Sequence, residues 1–178
     1  MATADDLARL RARFEEVTGR LKQRFGEGAF TTSEFRDNFR VHVEAGRAYD
    51  LLAYLKDDCG FDLLAELGGA DYLRYPEAKD RYGVWYCLVN TATGQRLIVK
   101  TFANDPEPTL PTAISLWKGA DWMEREVYDM YGVVFDGHPD LRRILMPDEF
   151  TSFPLRKDYP LRGKGERHNF RPVTRAES

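Results

Sequence analysis

Glu124, Arg125, Glu126 and Asp129 fall within six consecutive residues, and His138, Pro139, Asp140, Arg142 and Arg143 follow by fourteen residues later. Carboxylates, cations and an imidazole this close could serve acid–base chemistry, metal ligation or ion pairing. Acid–base catalysis by paired carboxylates needs the two to converge on one bond. Glu124 and Glu126 are two residues apart on a helix pattern, which turns them about 200° away from each other. Arg125 and Asp129 stand four apart, so the same pattern predicts an ion pair along one helix face. A metal site would draw on His138, Asp140 and an acid of the helix. The His-Pro-Asp spacing fits no ligand pattern, and three histidines in all (His42, His138, His168) leave little for a two- or three-His centre. No GxSxG, P-loop or GxGxxG is present. No residue is therefore assigned a catalytic, cofactor-binding or metal-binding role.

The elements that must hold these side chains can be read from periodicity. Leu7, Leu10, Phe14, Val17 and Leu21 recur at three- and four-residue steps and predict an amphipathic helix over 5–25, ended by Gly26 and Gly28. Phe39 to Val43 alternates as a half-buried strand. Arg47 to Asp58 predicts a second helix on Leu51, Leu52, Tyr54 and Leu55, with Gly60 as its stop. Residues 61–67 lead into an acidic, Gly-rich turn. Two strands follow, Tyr82–Asn90 and Arg96–Phe102, joined by Thr91–Gly94, where Gly suits a hairpin loop. Asn104 to Pro111 holds three prolines and reads as an extended linker. Asp121 with Glu124 resembles a capping box, opening a helix whose buried stripe is Met123, Val127, Met130 and Tyr131 and whose breaker is Gly132. Helices and strands without strict βαβ alternation give an α+β class: a two-layer domain with a mixed or antiparallel sheet and packed helices over residues 1–146. Residues 147–178 are rich in turn residues and poor in apolar ones, and form an extended, partner-binding tail.

Charge and composition narrow the function. The chain has 178 residues and a formal net charge of −3. Residues 1–136 carry 17 Lys and Arg against 23 Asp and Glu, whereas 137–178 carry 9 against 6. Asp158, Glu166 and Glu177 interrupt the basic tail, so no polybasic block for nucleic acid exists. The longest apolar run, Val84–Val89, is far below the roughly 20 residues of a membrane span. The amphipathic, acidic start lacks a signal-peptide core, so the protein is expected to stay in the compartment that made it, a bacterial or organellar interior. Cys59 and Cys87 lie in no CxxC spacing; both read as structural, Cys87 as a small core hydrophobe. Arg142, Arg143, Arg156 and Lys157 are interleaved with Leu141, Ile144, Leu145, Phe153, Leu155 and Tyr159, the composition of a protein interface. An interaction module accounts for this best. A metal hydrolase at His138 and Asp140, and a nucleic-acid binder acting through the tail, are the alternatives.

Three blocks carry a family resemblance: Glu124–Gly132, Gly137–Leu145, and Pro154-Leu155-Arg156-Lys157-Asp158-Tyr159-Pro160. Together they resemble the signature of the C subunit, the 30 kDa-type subunit, of NADH:quinone oxidoreductase (respiratory complex I), within residues 109–161. Asp121 stands where this family usually has Asn, and Phe153 where a His commonly precedes the last block. The resemblance implies a subunit of the peripheral arm that holds no cofactor, with FMN, Fe-S clusters and quinone in partner subunits. It implies packing against the D subunit foremost, with the B and I subunits nearby, on the cytoplasmic face of the bacterial inner membrane and in contact with the membrane only through the complex. An equivalent subunit of a related membrane-bound hydrogenase or non-NADH dehydrogenase complex is the alternative. Pro139 belongs to the signature; Glu124, Arg125, Glu126, Asp129, His138, Asp140, Arg142 and Arg143 are expected to form a buried polar junction, and Arg156, Lys157, Asp158 and Tyr159 to dock the tail.

Overall fold

The leucine stripe at the N-terminus folds as α1 (Ala4–Phe25), burying Val17 and Leu21 and stacking Phe14 against Phe39 at 5.0 Å. The computed structural model describes residues 4–166, so the last twelve residues of the expected tail lie outside the described residues. β1 (Phe30–Phe35) and β2 (Asn38–Val43) then form an antiparallel hairpin. Only β2 is evident from its alternation. β1 is mostly exposed, and its two-residue turn, Arg36-Asp37, lacks the usual Asn-Gly signal although Arg36 has φ 58°. α2 (Ala45–Asp57) buries Ala48, Leu51, Leu52 and Leu55 on the same sheet face as α1.

β3 (Leu63–Asp71) corrects the expected Gly-rich turn: the two glycines sit inside the strand. A Cβ on Gly68 would stand 2.6 Å from the Trp85 indole, and one on Gly69 3.1 Å from Tyr131 and Val127. Close approach, not chain reversal, requires glycine there. β4 (Tyr82–Asn90) and β5 (Gln95–Ala103) pair antiparallel as expected, with Gly94 at φ 69° in the connecting loop. The sheet order is β1-β2-β5-β4-β3, with β2 and β5 parallel and the other pairs antiparallel. Leu97, Val99 and Thr101 of β5 point to the helices and are buried; Ile98, Lys100 and Phe102 line the opposite face. Cys87 lies on that opposite face and is half-buried, so it is not the core residue its apolar run implied.

The proline-rich segment is more than a linker. It ends in β6 (Thr109–Pro111), which pairs parallel with β7 (Val134–Asp136) across α3 (Ala120–Tyr131). Leu110, Val133 and Phe135 are buried in this second layer. The N-cap of α3 is Gly119 with no side-chain cap bond, so Asp121 lies inside the first turn and the expected capping box does not form. Gly132 ends the helix in the left-handed region at φ 75°. α3 stands along the β3 edge, where the Leu67 amide donates to Met123 Sδ at 3.2 Å. Among the described residues no helix is long and apolar enough to cross a membrane.

Candidate functional site

α3 carries two fully buried acids, and each fixes a different piece of chain. Asp129 lies one turn before Gly132. Its Oδ2 accepts three consecutive backbone amides, Ile144 at 3.1 Å, Leu145 at 2.7 Å and Met146 at 2.8 Å. Its Oδ1 accepts Arg143 Nη1 at 2.6 Å. Burial pushes the Asp129 carboxyl upward, but the three amides and Arg143 outweigh it and hold it below the usual carboxylate range. Arg143 also donates to the Ser152 carbonyl and lies 5.2 Å from the Phe153 ring. Thus one carboxylate folds the 142–146 loop around itself and links it to the segment beyond.

Arg125 does not pair with Asp129. It donates instead to the carbonyls of Arg142 and Arg143, both at 3.1 Å, because Asp129 is already saturated by loop donors. Loop and helix are therefore laced from both sides: a helix cation on loop carbonyls, a helix anion on loop amides.

Glu124, also fully buried, reaches back to the connection from β6. Its Oε2 accepts the Thr112 hydroxyl at 2.6 Å and its Oε1 the Ala113 amide at 2.7 Å. No cation faces it. Burial raises its carboxyl to about 7, with the charge of Asp121 adding to the rise and the two hydrogen bonds opposing it. His138, whose side chain is fully buried, accepts the Asp140 amide on Nδ1 at 3.0 Å. That leaves the proton on Nε2, which donates to the Asp121 carbonyl at 3.2 Å. The loop after β7 is thereby pinned to the start of α3.

The structure brings Arg125, Asp129 and Arg143 into one polar junction, while Glu124 and His138 pin separate connections to α3. Glu126, Pro139, Asp140 and Arg142 are exposed and stand outside it. Among the described residues the Asp140 and Arg142 side chains pair with each other at 2.9 Å, and they are 56% and 70% exposed. Glu126 points away from Glu124, as the helix angle requires.

A second junction holds the segment after 150, and its two central residues carried no sequence signal. Asp71, at the end of β3, has a fully buried side chain that accepts Arg81, the Leu73 amide and the Lys157 amide. Arg81 also pairs with Asp105 at 2.6 Å and Asp158 at 2.8 Å. Burial works against the Asp71 anion, but these donors hold its carboxyl below the usual range. Arg156 donates to the Tyr131 carbonyl at 2.6 Å, stacking 4.6 Å from Phe153 and 5.0 Å from Tyr82. Phe150 is buried and packs edge-on to Tyr159 at 5.9 Å. All four residues expected to dock the tail lie here, Arg156, the Lys157 amide and Asp158 each bonded to residues of the folded body. An ion pair between residues 77 apart and an amide–carboxylate hydrogen bond between residues 86 apart leave no local pattern, which is why Asp71 and Arg81 are not evident from the sequence.

What this arrangement does chemically is hold. Its buried carboxylates are occupied by backbone amides, hydroxyls and guanidinium groups, and its cations by carboxylates, carbonyls and aromatic faces. Among the described residues, no three His, Cys, Asp or Glu side chains gather as a metal site would require. The outward surface is different: Trp122 is 70% exposed and Leu145 60%, next to rigidly held backbone.

Comparison with known proteins places this architecture. A family profile described as the respiratory-chain NADH dehydrogenase 30 kDa subunit matches residues 41–165. An NADH-quinone oxidoreductase C subunit from Rhizobium meliloti is 46% identical over 125 residues, 69% of this chain and 60% of that protein. The C subunit from Geobacter sulfurreducens is 39% identical over 144 residues, covering 81% of this chain and 88% of that one. The match spans 52% to 60% of the length of several relatives, including subunit 5 of Thermus thermophilus. Among solved structures, a trypsin-resistant fragment (1–134) of Nqo5 superposes with a TM-score of 0.65 at 34% identity, covering 72% of this chain and 99% of the fragment. A chain of an archaeal membrane-bound sulfane sulfur reductase shares the fold, with a TM-score of 0.70 at 24% identity. On the profile match and these identities, the chain belongs to the family of the respiratory-chain NADH dehydrogenase 30 kDa subunit.

Proposed function

We propose that this chain is a cofactor-free, peripheral-arm subunit of a proton-translocating NADH:quinone oxidoreductase, and that it works by holding partner subunits in place while electrons pass from NADH through FMN and Fe-S clusters to quinone elsewhere in the complex. The isolated chain is non-catalytic in this reading. The D subunit is its main neighbour, the B and I subunits lie nearby, and the complex keeps it on the cytoplasmic face of the inner membrane. The observation that carries the proposal is the division of labour around α3. Inward-facing Glu124, Asp129 and Arg143 lock the backbone, while exposed Trp122, Arg142 and Leu145 are presented on that locked frame. A rigid display of aromatic, aliphatic and Arg side chains suits a partner surface, because pre-ordering lowers the entropy cost of docking.

The test replaces Arg142 by Ala in the native host. Arg142 is exposed and, among the described residues, its side chain pairs with an exposed acid, so the purified variant should melt as the parent does. Assembly of the complex on native gels and NADH:quinone reductase activity of the membranes should fall. Normal assembly with full quinone reduction would remove Arg142 from the docking surface, and normal assembly of Leu145→Glu as well would refute the proposal. The shared fold of the sulfane sulfur reductase chain supports a second reading, an equivalent subunit in a related membrane complex with another electron donor. Co-purification of flavin- and NADH-binding subunits with the tagged chain separates the two.

A further inference from the structure

Helices α1 and α2 pack on one face of the five-stranded sheet and α3 lies along the β3 edge, so among the described residues no helix covers the opposite face, where Tyr72 packs beside Phe102. The strand registers draw that face as two cross-strand rows. One runs Arg40, Ile98, Cys87; the other runs His42, Lys100, Trp85. All six are half-buried, and Trp85 lies flat across Gly68 at the edge strand. A cleft of about 550 Å³ between the β1–β2 hairpin and Phe102 continues the surface at His42.

The charge on this face runs against that of the body, where acids outnumber bases by 23 to 17. Among the described residues, neither Arg40 nor Lys100 has a carboxylate partner. Arg40 rests over the exposed Phe35 ring at 5.9 Å. The Lys100 ammonium donates to the Tyr72 hydroxyl at 2.6 Å and lies 4.8 Å from the Phe102 ring. The acid on these rows is Glu66, across Cys87 on β3, at the far side from Arg40. The β2–β5 half is thus an aromatic and aliphatic surface with two cations outside any ion pair among the described residues, Lys100 held by the Tyr72 hydroxyl and Arg40 beside Phe35, while Glu44 and Asp80 line the cleft beyond His42. Fixed, partly desolvated cations set in apolar surroundings select an anionic partner group more strongly than freely hydrated ones.

We propose that the β2–β5 half of this open sheet face docks a segment of a partner protein that carries carboxylates among apolar side chains. The proposal deepens the functional reading given under Proposed function and rests on it only in requiring that the chain be part of a larger assembly. Arg40 and Lys100 receive the carboxylates, and Ile98, Phe102 and Trp85 receive the apolar side chains between them. Arg40, Ile98, Lys100 and Phe102 lie on the sheet and not on α3, although Trp85 also lines a cavity with Met123 and Glu126 of that helix.

The test places a photo-reactive benzoylphenylalanine at position 98 of the chain in its native host, irradiates the isolated complex and maps the crosslinked peptide by mass spectrometry. The expected product is a segment of another subunit with two or more Asp or Glu residues. Its yield should fall about tenfold or more in the Arg40→Glu/Lys100→Glu variant, as like charges replace opposite ones, and return when the partner acids become Lys. A Lys100→Met chain with the parental urea midpoint, giving an intermediate loss, guards against misfolding of the double variant. A crosslink to a second copy of this chain, to a segment without acids, or no protein crosslink at all overturns the proposal, as does a yield unmoved by charge reversal. If the chain co-purifies without NADH:quinone oxidoreductase subunits, the functional reading fails while the position-98 crosslink still decides the face.

Discussion

Replacing Glu124 by Gln isolates the cost of a buried carboxylate that has hydrogen bonds but no cation. In the folded chain its carboxyl titrates at about 7 against an ordinary 4.5, with burial as the main cause. The native state therefore keeps a proton that the unfolded chain releases between pH 4.5 and 7. Stability contributed by that proton is complete below pH 4.5 and is lost as the pH rises through 7. At about 1.4 kcal/mol for each tenfold in proton affinity, the loss across this window is about 3 kcal/mol. Gln is neutral throughout, can still accept the Ala113 amide, and can donate to Thr112 with the hydroxyl turned about. Re-forming those bonds in altered geometry should cost about 1 kcal/mol at every pH. The Gln variant should accordingly be slightly weaker than the parent at pH 4.5 and more stable by about 2 kcal/mol at pH 8. Urea unfolding of both proteins at four pH values between 4.5 and 8 measures this. Titrations shared by the two, such as Asp71 and Asp129, cancel in the difference. A difference that stays flat with pH, or that falls as pH rises, would refute an unpaired, proton-retaining Glu124.

Three further outcomes test the junctions. Asp129→Asn removes the anion that collects three amides and Arg143, leaving a guanidinium that is 12% exposed without its carboxylate; it should cost about 3 kcal/mol or more and speed tryptic cleavage after Arg142 and Arg143. Gly132→Ala puts a methyl group in the left-handed region, 2.6 Å from Arg156 and Phe153, so it should lose about 1–3 kcal/mol and expose Arg156 and Lys157 to trypsin first. Arg81→Ala leaves the buried Asp71 with amides alone and frees Asp105 and Asp158; a loss of about 3 kcal/mol in urea unfolding is expected, and a change under about 0.5 would remove Arg81 from the clamp.

Local pattern determined a good deal. The stripes of α1 and α2 and the alternation of β2, β4 and β5 are legible because each reflects a face buried at a fixed period, and Gly132 as the stop of α3 because a left-handed helix end favours glycine. The blocks around α3 were enough to point to the family, and the helical offset of about 200° between Glu124 and Glu126 already sent one inward and the other out. What the sequence could not determine was every choice made by distant partners. Gly68 and Gly69 look like a turn until Trp85 and Tyr131 are seen to need the space. Cys87 looks like core until strand register turns it to the open face. Arg125 and Asp129 have the spacing of a helix ion pair, yet loop amides outcompete the guanidinium for the carboxylate. Asp71 and Arg81 become a clamp only when a segment more than seventy residues away folds onto them. Hydrophobic periodicity is a property of neighbours in the chain, whereas the pairing of a buried charge is decided by whichever groups the fold brings within about 3 Å, and that is information only tertiary structure holds.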